Sequence, residues 1–137
     1  MRVLILCTGN SARSQMGEGL LRHLSRGAVE VHSAGTHPSL VHPLAIRAMA
    51  ELGVDIASHR SKSVTEFAGQ RFDTVITVCD RAKEACPIFP GQPTQIHWSL
   101  PDPTAAGWTD EARLQAFRNV RDDLAKRLTQ FLASAAP

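Results

Sequence analysis

One cysteine and one arginine near the start of the chain have side chains that could act together in a chemical reaction. Cys7 and Arg13 are separated by five residues within the segment Cys-Thr-Gly-Asn-Ser-Ala-Arg-Ser at residues 7–14. A thiolate is a strong nucleophile, and a guanidinium can hold an oxyanion through two parallel hydrogen bonds. The pair could therefore place a sulfur nucleophile against a bound oxyanion.

The residues around this segment predict a strand before it and a helix after it. The apolar run at residues 3–6 is short and rich in branched side chains, and apolar residues recur at helical spacing through residues 15–24. The segment would then be a loop entering a helix N-terminus, where unpaired N–H groups and a partial positive charge attract anions. The residues predicted to bind the oxyanion are Thr8, Gly9, Asn10, Ser11, Ala12, Arg13 and Ser14.

The same setting would favour the thiolate of Cys7. A helix N-terminus and a nearby cation both stabilise a thiolate, and Ser14 can donate a further hydrogen bond to the sulfur. The alternative is that Cys7 only packs at a strand end and that Arg13 is a surface charge. The strand–loop–helix setting and the turn residues at 9–11 favour the catalytic interpretation.

Composition and charge indicate one globular unit. The chain has 137 residues, 43% of them hydrophobic and 20% charged, with a net charge of only +2. This length supports a core without disulfide bonds, and we expect a single domain over residues 1–137.

No basic run indicates nucleic acid, and no apolar stretch reaches the ~20 residues that span a membrane. Because the chain starts directly on its first predicted strand, we expect a cytoplasmic protein, and we expect a monomer.

Predicted strands and helices alternate along the chain. Further strands are predicted at residues 29–33, 73–78 and 95–98, and further helices at residues 44–52, 64–67 and 80–85 and after a cap at Thr109. This alternation predicts an α/β fold, a three-layer domain with helices flanking a four-stranded parallel sheet.

Small residues at 33–35 predict a close backbone approach to the loop at residues 7–14. Since Cys7, Cys79 and Asp102 all follow predicted strands, they would meet at one edge of the sheet.

The other two cysteines, Cys79 and Cys86, flank six residues after the third strand. Their spacing is not a usual zinc pattern, and His97 alone would not complete a site, so no metal is expected. A helix between them would hold their Cα atoms about 10 Å apart, whereas a disulfide needs ~7 Å or less. Bridging them would therefore unwind the segment. The alternative is that both are small buried side chains.

The chain resembles a known family at these positions. Residues 7–16, Cys79, Cys86–Pro87 and Asp102–Pro103 are similar to the thioredoxin-coupled arsenate reductases, which share the low-molecular-weight protein tyrosine phosphatase fold. The resemblance runs from the first strand to the terminal helix. Ala12 stands where many members carry another cysteine, outside the three-thiol relay.

The resemblance implies a mechanism for arsenic detoxification that needs no metal or organic cofactor. Cys7 would attack arsenate held by the loop and Arg13, while Asp102 would protonate the departing oxygen. Cys79 would then attack Cys7 and release arsenite, and Cys86 would attack Cys79. Thioredoxin, or a glutaredoxin or other thiol system in its place, would reduce the final disulfide. Phosphate-like and sulfate-like oxyanions would also bind. The alternative for Asp102 is an ordinary turn aspartate.

Two other functions fit some of these residues. A tyrosine phosphatase of the same fold would use Cys7, Arg13 and Asp102 without the other thiols, and residual phosphatase activity is expected. Against it, residues 104–107 hold no aromatic side chain to stack on a phosphotyrosine ring. A non-enzymatic redox or metalloid sensor would leave Arg13 and Asp102 without a role.

The resemblance also bears on potassium. Some family members hold a potassium ion with residues that match Asn10, Glu18 and Ser33 and with an acidic side chain at the position of Lys62. We expect the Lys62 ammonium to replace the ion in this chain and to pair with Glu18. The alternative is that Lys62 points to water, as most lysines do.

Overall fold

Four parallel strands form one sheet in the order β2-β1-β3-β4. The computed structural model describes residues 1–105 and 107–135, so residues 106, 136 and 137 of the predicted domain lie outside it. The strands are β1 (Arg2–Cys7), β2 (Glu30–Gly35), β3 (Thr74–Thr77) and β4 (Thr94–His97). Each pairs in parallel with its neighbour, which confirms the predicted α/β fold with a four-stranded parallel sheet.

Helices connect the strands and flank the sheet. The α-helices of the described residues are α1 (Arg13–Leu24), α2 (Pro43–Ala50), α3 (Asp80–Glu84) and α4 (Asp110–Ala135), and 3₁₀ turns lie at Val64–Phe67 and Pro103–Ala105. The first helix begins two residues earlier than predicted, so Arg13 lies in its first turn. Thr109 caps α4 as predicted, because its Oγ1 accepts the N–H of Ala112 at 3.1 Å. Nowhere in the described ranges is a helix both long and apolar enough to cross a membrane.

The core lies on both sides of β1. Residues 3–6 of this strand have no exposed surface, and an apolar stripe on α4 belongs to the same core and packs against α1 and α2. Phe117, Leu124 and Leu128 of that stripe are fully buried, each contributing about 1.5–3 kcal/mol of hydrophobic free energy. A strand buried on both faces gives the loop after it a rigid starting point.

The end of β2 lies against the loop that follows β1. A Cβ atom at Gly35 would lie 2.5 Å from the carbonyl oxygen of Thr8 and 2.8 Å from the backbone nitrogen of Asn10. Only glycine permits that approach. The close contact predicted from the small residues at 33–35 is therefore confirmed.

Candidate active site

The loop between β1 and α1 leaves most of its backbone N–H groups unpaired. Its carbonyl groups at residues 8, 9 and 11 accept hydrogen bonds from the N–H groups of His37, Ser39 and His42 at 2.8, 3.1 and 2.9 Å. The N–H of Asn10 donates to Cys7 Sγ at 3.2 Å. The six N–H groups of residues 8, 9 and 11–14 have no acceptor among the residues that the structure describes. Unpaired donors on consecutive residues at a helix N-terminus form an anion-binding nest.

The sulfur of Cys7 accepts from this loop and from the first turn of α1. Ser14 Oγ lies 2.8 Å from Cys7 Sγ, and it also accepts a hydrogen bond from Asn10 Nδ2 at 2.7 Å. Because Ser14 already accepts from Asn10, its own hydrogen is free for the sulfur. Cys7 thus faces two donors while being almost fully buried, an arrangement that stabilises a thiolate.

Buried side chains extend the network away from Cys7. Asn10 Nδ2 also donates to Ser33 Oγ at 3.0 Å, and Ser33 Oγ donates to Glu18 Oε1 at 2.8 Å. The Asn10 amide oxygen accepts from Gln15 Nε2 and from the Lys62 backbone N–H, both at 2.9 Å. These contacts fix the orientation of the Asn10 amide, and its nitrogen therefore points toward Ser14.

The charge of Glu18 anchors this network. Burial by itself raises the pKa of Glu18, but Lys62, the Ser33 hydroxyl, His59 and Arg22 together outweigh it, and the pKa is lowered. The group is therefore a carboxylate at neutral pH and can only accept hydrogen bonds. Ser33 must then donate to Glu18, which leaves its oxygen to accept from the Asn10 amide.

Sequence reasoning missed two members of the network, Gln15 and His59. Gln15 Oε1 lies 3.0 Å from His59 Nδ1, and His59 Nε2 accepts from Arg22 at 3.3 Å. Burial lowers the pKa of His59, which is consistent with a neutral ring that carries its proton on Nδ1. The available signal was the pair of polar residues Gln15 and Glu18, three positions apart among small and apolar residues at the start of the predicted first helix.

The Lys62 ammonium lies among the oxygen atoms of this network. Its Nζ is 3.5 Å from Glu18 Oε1, 3.5 Å from Ser33 Oγ and 3.2 Å from the Arg60 carbonyl oxygen. The predicted pairing of Lys62 with Glu18 is confirmed, and the side chain is only 11% exposed. A potassium ion beside Glu18 and Ser33 would face this ammonium at contact distance, so these residues do not fit the ion.

If the chain carries out the arsenate reduction that the family resemblance implies, turnover of the wild-type protein should be the same in potassium and tetramethylammonium salts of equal ionic strength. Lys62→Asp removes the tethered cation and adds an oxygen ligand, so its turnover should rise by about fivefold in potassium, the lower end of typical coupling between two sites. Lys62→Met, which offers no carboxylate, is the matched control. Strong potassium activation of the wild type would contradict this account of Lys62.

Arg13 contacts the loop after β4, which also carries Asp102. Arg13 Nη1 donates to the Leu100 carbonyl oxygen at 3.0 Å, and Asp102 Oδ1 accepts from the N–H and hydroxyl of Thr104 at 3.0 and 2.7 Å. Asp102 thus closes a turn in this state. Burial raises the pKa of Asp102, but the Thr104 hydrogen bonds, Arg13 and His42 outweigh it and lower the pKa. Trp108 directly follows residues 104–107, which hold no aromatic side chain, and it is fully exposed.

The second cysteine lies at the loop and the third lies at the far end of α3. Cys79 Sγ is 3.3 Å from Thr8 Oγ1, and Cys79 is the N-cap of α3. Cys86 follows the C-cap of that helix and is half-buried, and burial raises its pKa. All three cysteines are free. The structure therefore brings Cys7 and Cys79 to one loop through Thr8, and the predicted helix between Cys79 and Cys86 is confirmed.

A cleft of about 360 Å³ opens beside this loop and α3. Its walls are Thr8, Thr36, His37, Arg81, Glu84 and Ala85. It reaches the loop at Thr8, the residue that contacts Cys79.

Comparisons with known proteins agree with this geometry. The family model described as low molecular weight phosphotyrosine protein phosphatase matches residues 2–136. An arsenate reductase of Halalkalibacterium halodurans is 40% identical over 94% of this chain and 93% of its own length. A solved arsenate reductase in the phosphate-binding state superposes with a TM-score of 0.80 at 31% identity, covering 98% of both chains. A thioredoxin-dependent arsenate reductase of Corynebacterium glutamicum superposes with a TM-score of 0.76 at 30% identity, over 97% of this chain and 60% of that one.

Proposed function

The chain belongs to the low molecular weight phosphotyrosine protein phosphatase family, with arsenate reductases among its relatives, and we propose that it reduces arsenate to arsenite through three cysteines. The single observation that carries the proposal is the placement of the two thiols Cys7 and Cys79 at one anion-binding loop. A phosphatase needs the first thiol only. Two thiols can supply the two electrons that convert arsenic(V) to arsenic(III).

In the first step Cys7 attacks bound arsenate. The unpaired N–H groups of the loop and the Arg13 guanidinium hold the oxyanion, while Ser14 and the Asn10 N–H donate hydrogen bonds to the attacking sulfur. A sulfur–arsenic bond forms as one arsenic–oxygen bond breaks, and the departing oxygen takes a proton from Asp102. Although Asp102 is ionised in the free protein, an arsenate dianion beside it raises its pKa and favours the protonated form.

In the second step Cys79 attacks the sulfur of Cys7. The sulfur–arsenic bond breaks and its electron pair stays on arsenic, which leaves as arsenite while a Cys7–Cys79 disulfide forms. Cys86 then attacks Cys79 and frees the Cys7 thiolate. Burial raises the pKa of Cys86, which keeps it as an unreactive thiol until the chain around it moves.

A dithiol protein of the thioredoxin type returns the Cys79–Cys86 disulfide to two thiols. The experiment that tests the proposal is arsenate-dependent oxidation of NADPH with thioredoxin and thioredoxin reductase, repeated with glutaredoxin and glutathione. We expect turnover with thioredoxin and stoichiometric arsenite. Arsenate binding without any turnover in either system would instead support a sensor.

Replacing Asp102 by asparagine should slow arsenite formation in a single turnover by about 100-fold or more, the usual contribution of a general acid. Arsenate affinity should not fall, because the change removes a negative charge from the site. Asp55→Asn is a matched control, since Asp55 Oδ1 also closes a turn by accepting from Ala57 N–H at 2.8 Å. A rate within threefold of the wild type for Asp102→Asn would show that Asp102 is only a turn residue.

Hydrolysis of phosphate monoesters is a second candidate function. Cys7, Arg13 and Asp102 suffice for it, and Trp108 offers an exposed aromatic ring at the end of the Asp102 loop. We propose it as a weaker activity, because Cys79 and Cys86 have no part in it. Hydrolysis of p-nitrophenyl phosphate by Cys79→Ser at the wild-type rate, with loss of arsenate reduction, would separate the two activities.

A further inference from the structure

The helix between the second and third cysteines has little to stabilise it by itself. α3 has five residues, and Ala82 is its one buried side chain. Cys79 at the N-cap makes no side-chain hydrogen bond to the helix. Isolated helices of this length do not form in water, so contacts with the rest of the fold must hold α3 in place.

One such contact joins the first residue of α3 to the edge strand β4. His97 Nε2 donates to Asp80 Oδ1 at 2.9 Å. The same ring is held from behind, since His97 Nδ1 lies 2.7 Å from Thr77 Oγ1 at the end of β3. The hydrogen bond from His97 also holds the pKa of Asp80 below its ordinary value. The imidazole therefore bridges α3 to two adjacent strands.

The hydrogen-bond directions in this bridge are consistent in both protonation states of the ring. The Asp80 carboxylate only accepts, so His97 Nε2 carries a hydrogen. When the ring is neutral, the Thr77 hydroxyl donates to Nδ1. When it is protonated, Thr77 accepts and can donate to the Ile96 carbonyl oxygen at 3.5 Å. The ring thus keeps its orientation, and with it the position of Asp80.

We propose that His97 is a positioning residue that latches the first turn of α3 to the sheet and so keeps Cys79 beside the anion-binding loop. The inference rests on the proposed relay, because Cys79 must first reach Cys7 and later Cys86. Cys79 and Cys86 are seven positions apart and lie at opposite ends of α3, and at 1.5 Å per residue a helix across seven positions spans about 10 Å, so their disulfide requires α3 to unwind. The latch stabilises the dithiol form and opposes that disulfide.

There is space beside His97 for α3 to unwind. A cavity of about 240 Å³ lies beside His97, and Cys86 and Lys83 also line it. Cys86, which follows the C-terminal end of α3, therefore lines the same cavity as His97, which holds Asp80 at the N-terminal end. Release of Asp80 from His97 frees the first turn of α3, and the chain carrying Cys86 can move within this space.

The test measures the Cys79–Cys86 redox equilibrium in a Cys7→Ser background with glutathione buffers. Two protein thiols and one glutathione disulfide give one protein disulfide and two glutathione thiols, a balanced two-electron exchange. Removing the latch by His97→Ala should raise the constant for disulfide formation about threefold, or about 14 mV at 29.6 mV per tenfold. His97→Gln retains a donor at the position of Nε2 and should stay near the parent value.

His32→Ala is the matched control. His32 Nε2 makes the same kind of hydrogen bond, to Glu30 Oε2 at 2.9 Å, but neither residue belongs to α3. An unchanged constant for His97→Ala, or an equal shift for His32→Ala, would overturn the latch. Asp80→Ala removes the acceptor of this hydrogen bond at an exposed position and should shift the constant in the same direction as His97→Ala.

Amide hydrogen exchange of the reduced protein separates failure of the latch from failure of the relay. His97→Ala should speed exchange across residues 80–85 about threefold, whereas His32→Ala should not. If no Cys79–Cys86 disulfide forms in any variant, the proposed relay is wrong, and exchange still decides the latch. Unchanged exchange in His97→Ala would overturn the latch even if the relay stands.

Discussion

Replacing Cys7 by serine should reduce arsenate reduction and phosphatase activity to the uncatalysed level. The donors that surround this position, Ser14 and the Asn10 N–H, stabilise a thiolate but are too weak to ionise an alcohol. Serine would therefore stay protonated and would not attack arsenic or phosphorus. The measurement is arsenite release with thioredoxin present and p-nitrophenol release with thioredoxin absent.

The Cys7→Ser protein should still fold and bind oxyanions, since the loop N–H groups and Arg13 are unchanged. Its thermal midpoint and its affinity for phosphate provide the controls. Loss of both activities with phosphate binding retained is the expected result. Wild-type turnover by this variant would place the nucleophile elsewhere and end the proposed mechanism.

The second large effect is expected from Cys86→Ser. This variant keeps Cys7 and Cys79 and should complete the first exchange, releasing about one arsenite per protein molecule before it stalls. Without Cys86 the Cys7–Cys79 disulfide has no internal thiol to resolve it. Mass mapping after quenching should find Cys7 joined to Cys79.

Cys79→Ser is the matched control, because it retains the first and third thiols but lacks the second. It should release far less than one arsenite, since Cys86 lies beyond the other end of α3 from the loop. Repeated turnover by Cys86→Ser with Cys7 free would show that Cys86 is outside the relay. Equal release by both variants would show that either thiol can attack Cys7.

Local pattern was sufficient to predict the elements that position the site. The apolar run at residues 3–6 and the alternation of strands and helices predicted the parallel sheet. The small residues at 33–35 predicted the approach of Gly35 to Thr8. These features follow from side-chain size and periodicity along the chain, which a single sequence displays directly.

Contacts between distant residues could not be predicted in the same way. Gln15 and His59 are 44 positions apart, and nothing in either local pattern indicates that they pair. The bridge from Asp80 to His97 depends on how far β4 extends beside β3, a register that the sequence does not specify. Lys62 was predicted only because the family resemblance identified its neighbour, Glu18.

The turn made by Asp102 illustrates a different limit. Both interpretations of this residue were available from sequence, and the structure shows the turn, with Thr104 donating twice to one carboxylate oxygen. An acid role depends on the charge of the bound oxyanion, because that charge determines whether Asp102 holds a proton. The chain in its free form therefore shows the structural role, and Asp102→Asn tests the chemical one.

The most direct test of the proposed function is a single turnover of the reduced wild-type protein with one equivalent of arsenate and no external reductant. After quenching with acid and alkylation of free thiols, arsenite is measured and the disulfides are mapped by mass. The relay predicts one arsenite per protein, a Cys79–Cys86 disulfide, and Cys7 recovered as the alkylated thiol. Arsenite without that disulfide, or that disulfide without arsenite, would contradict it.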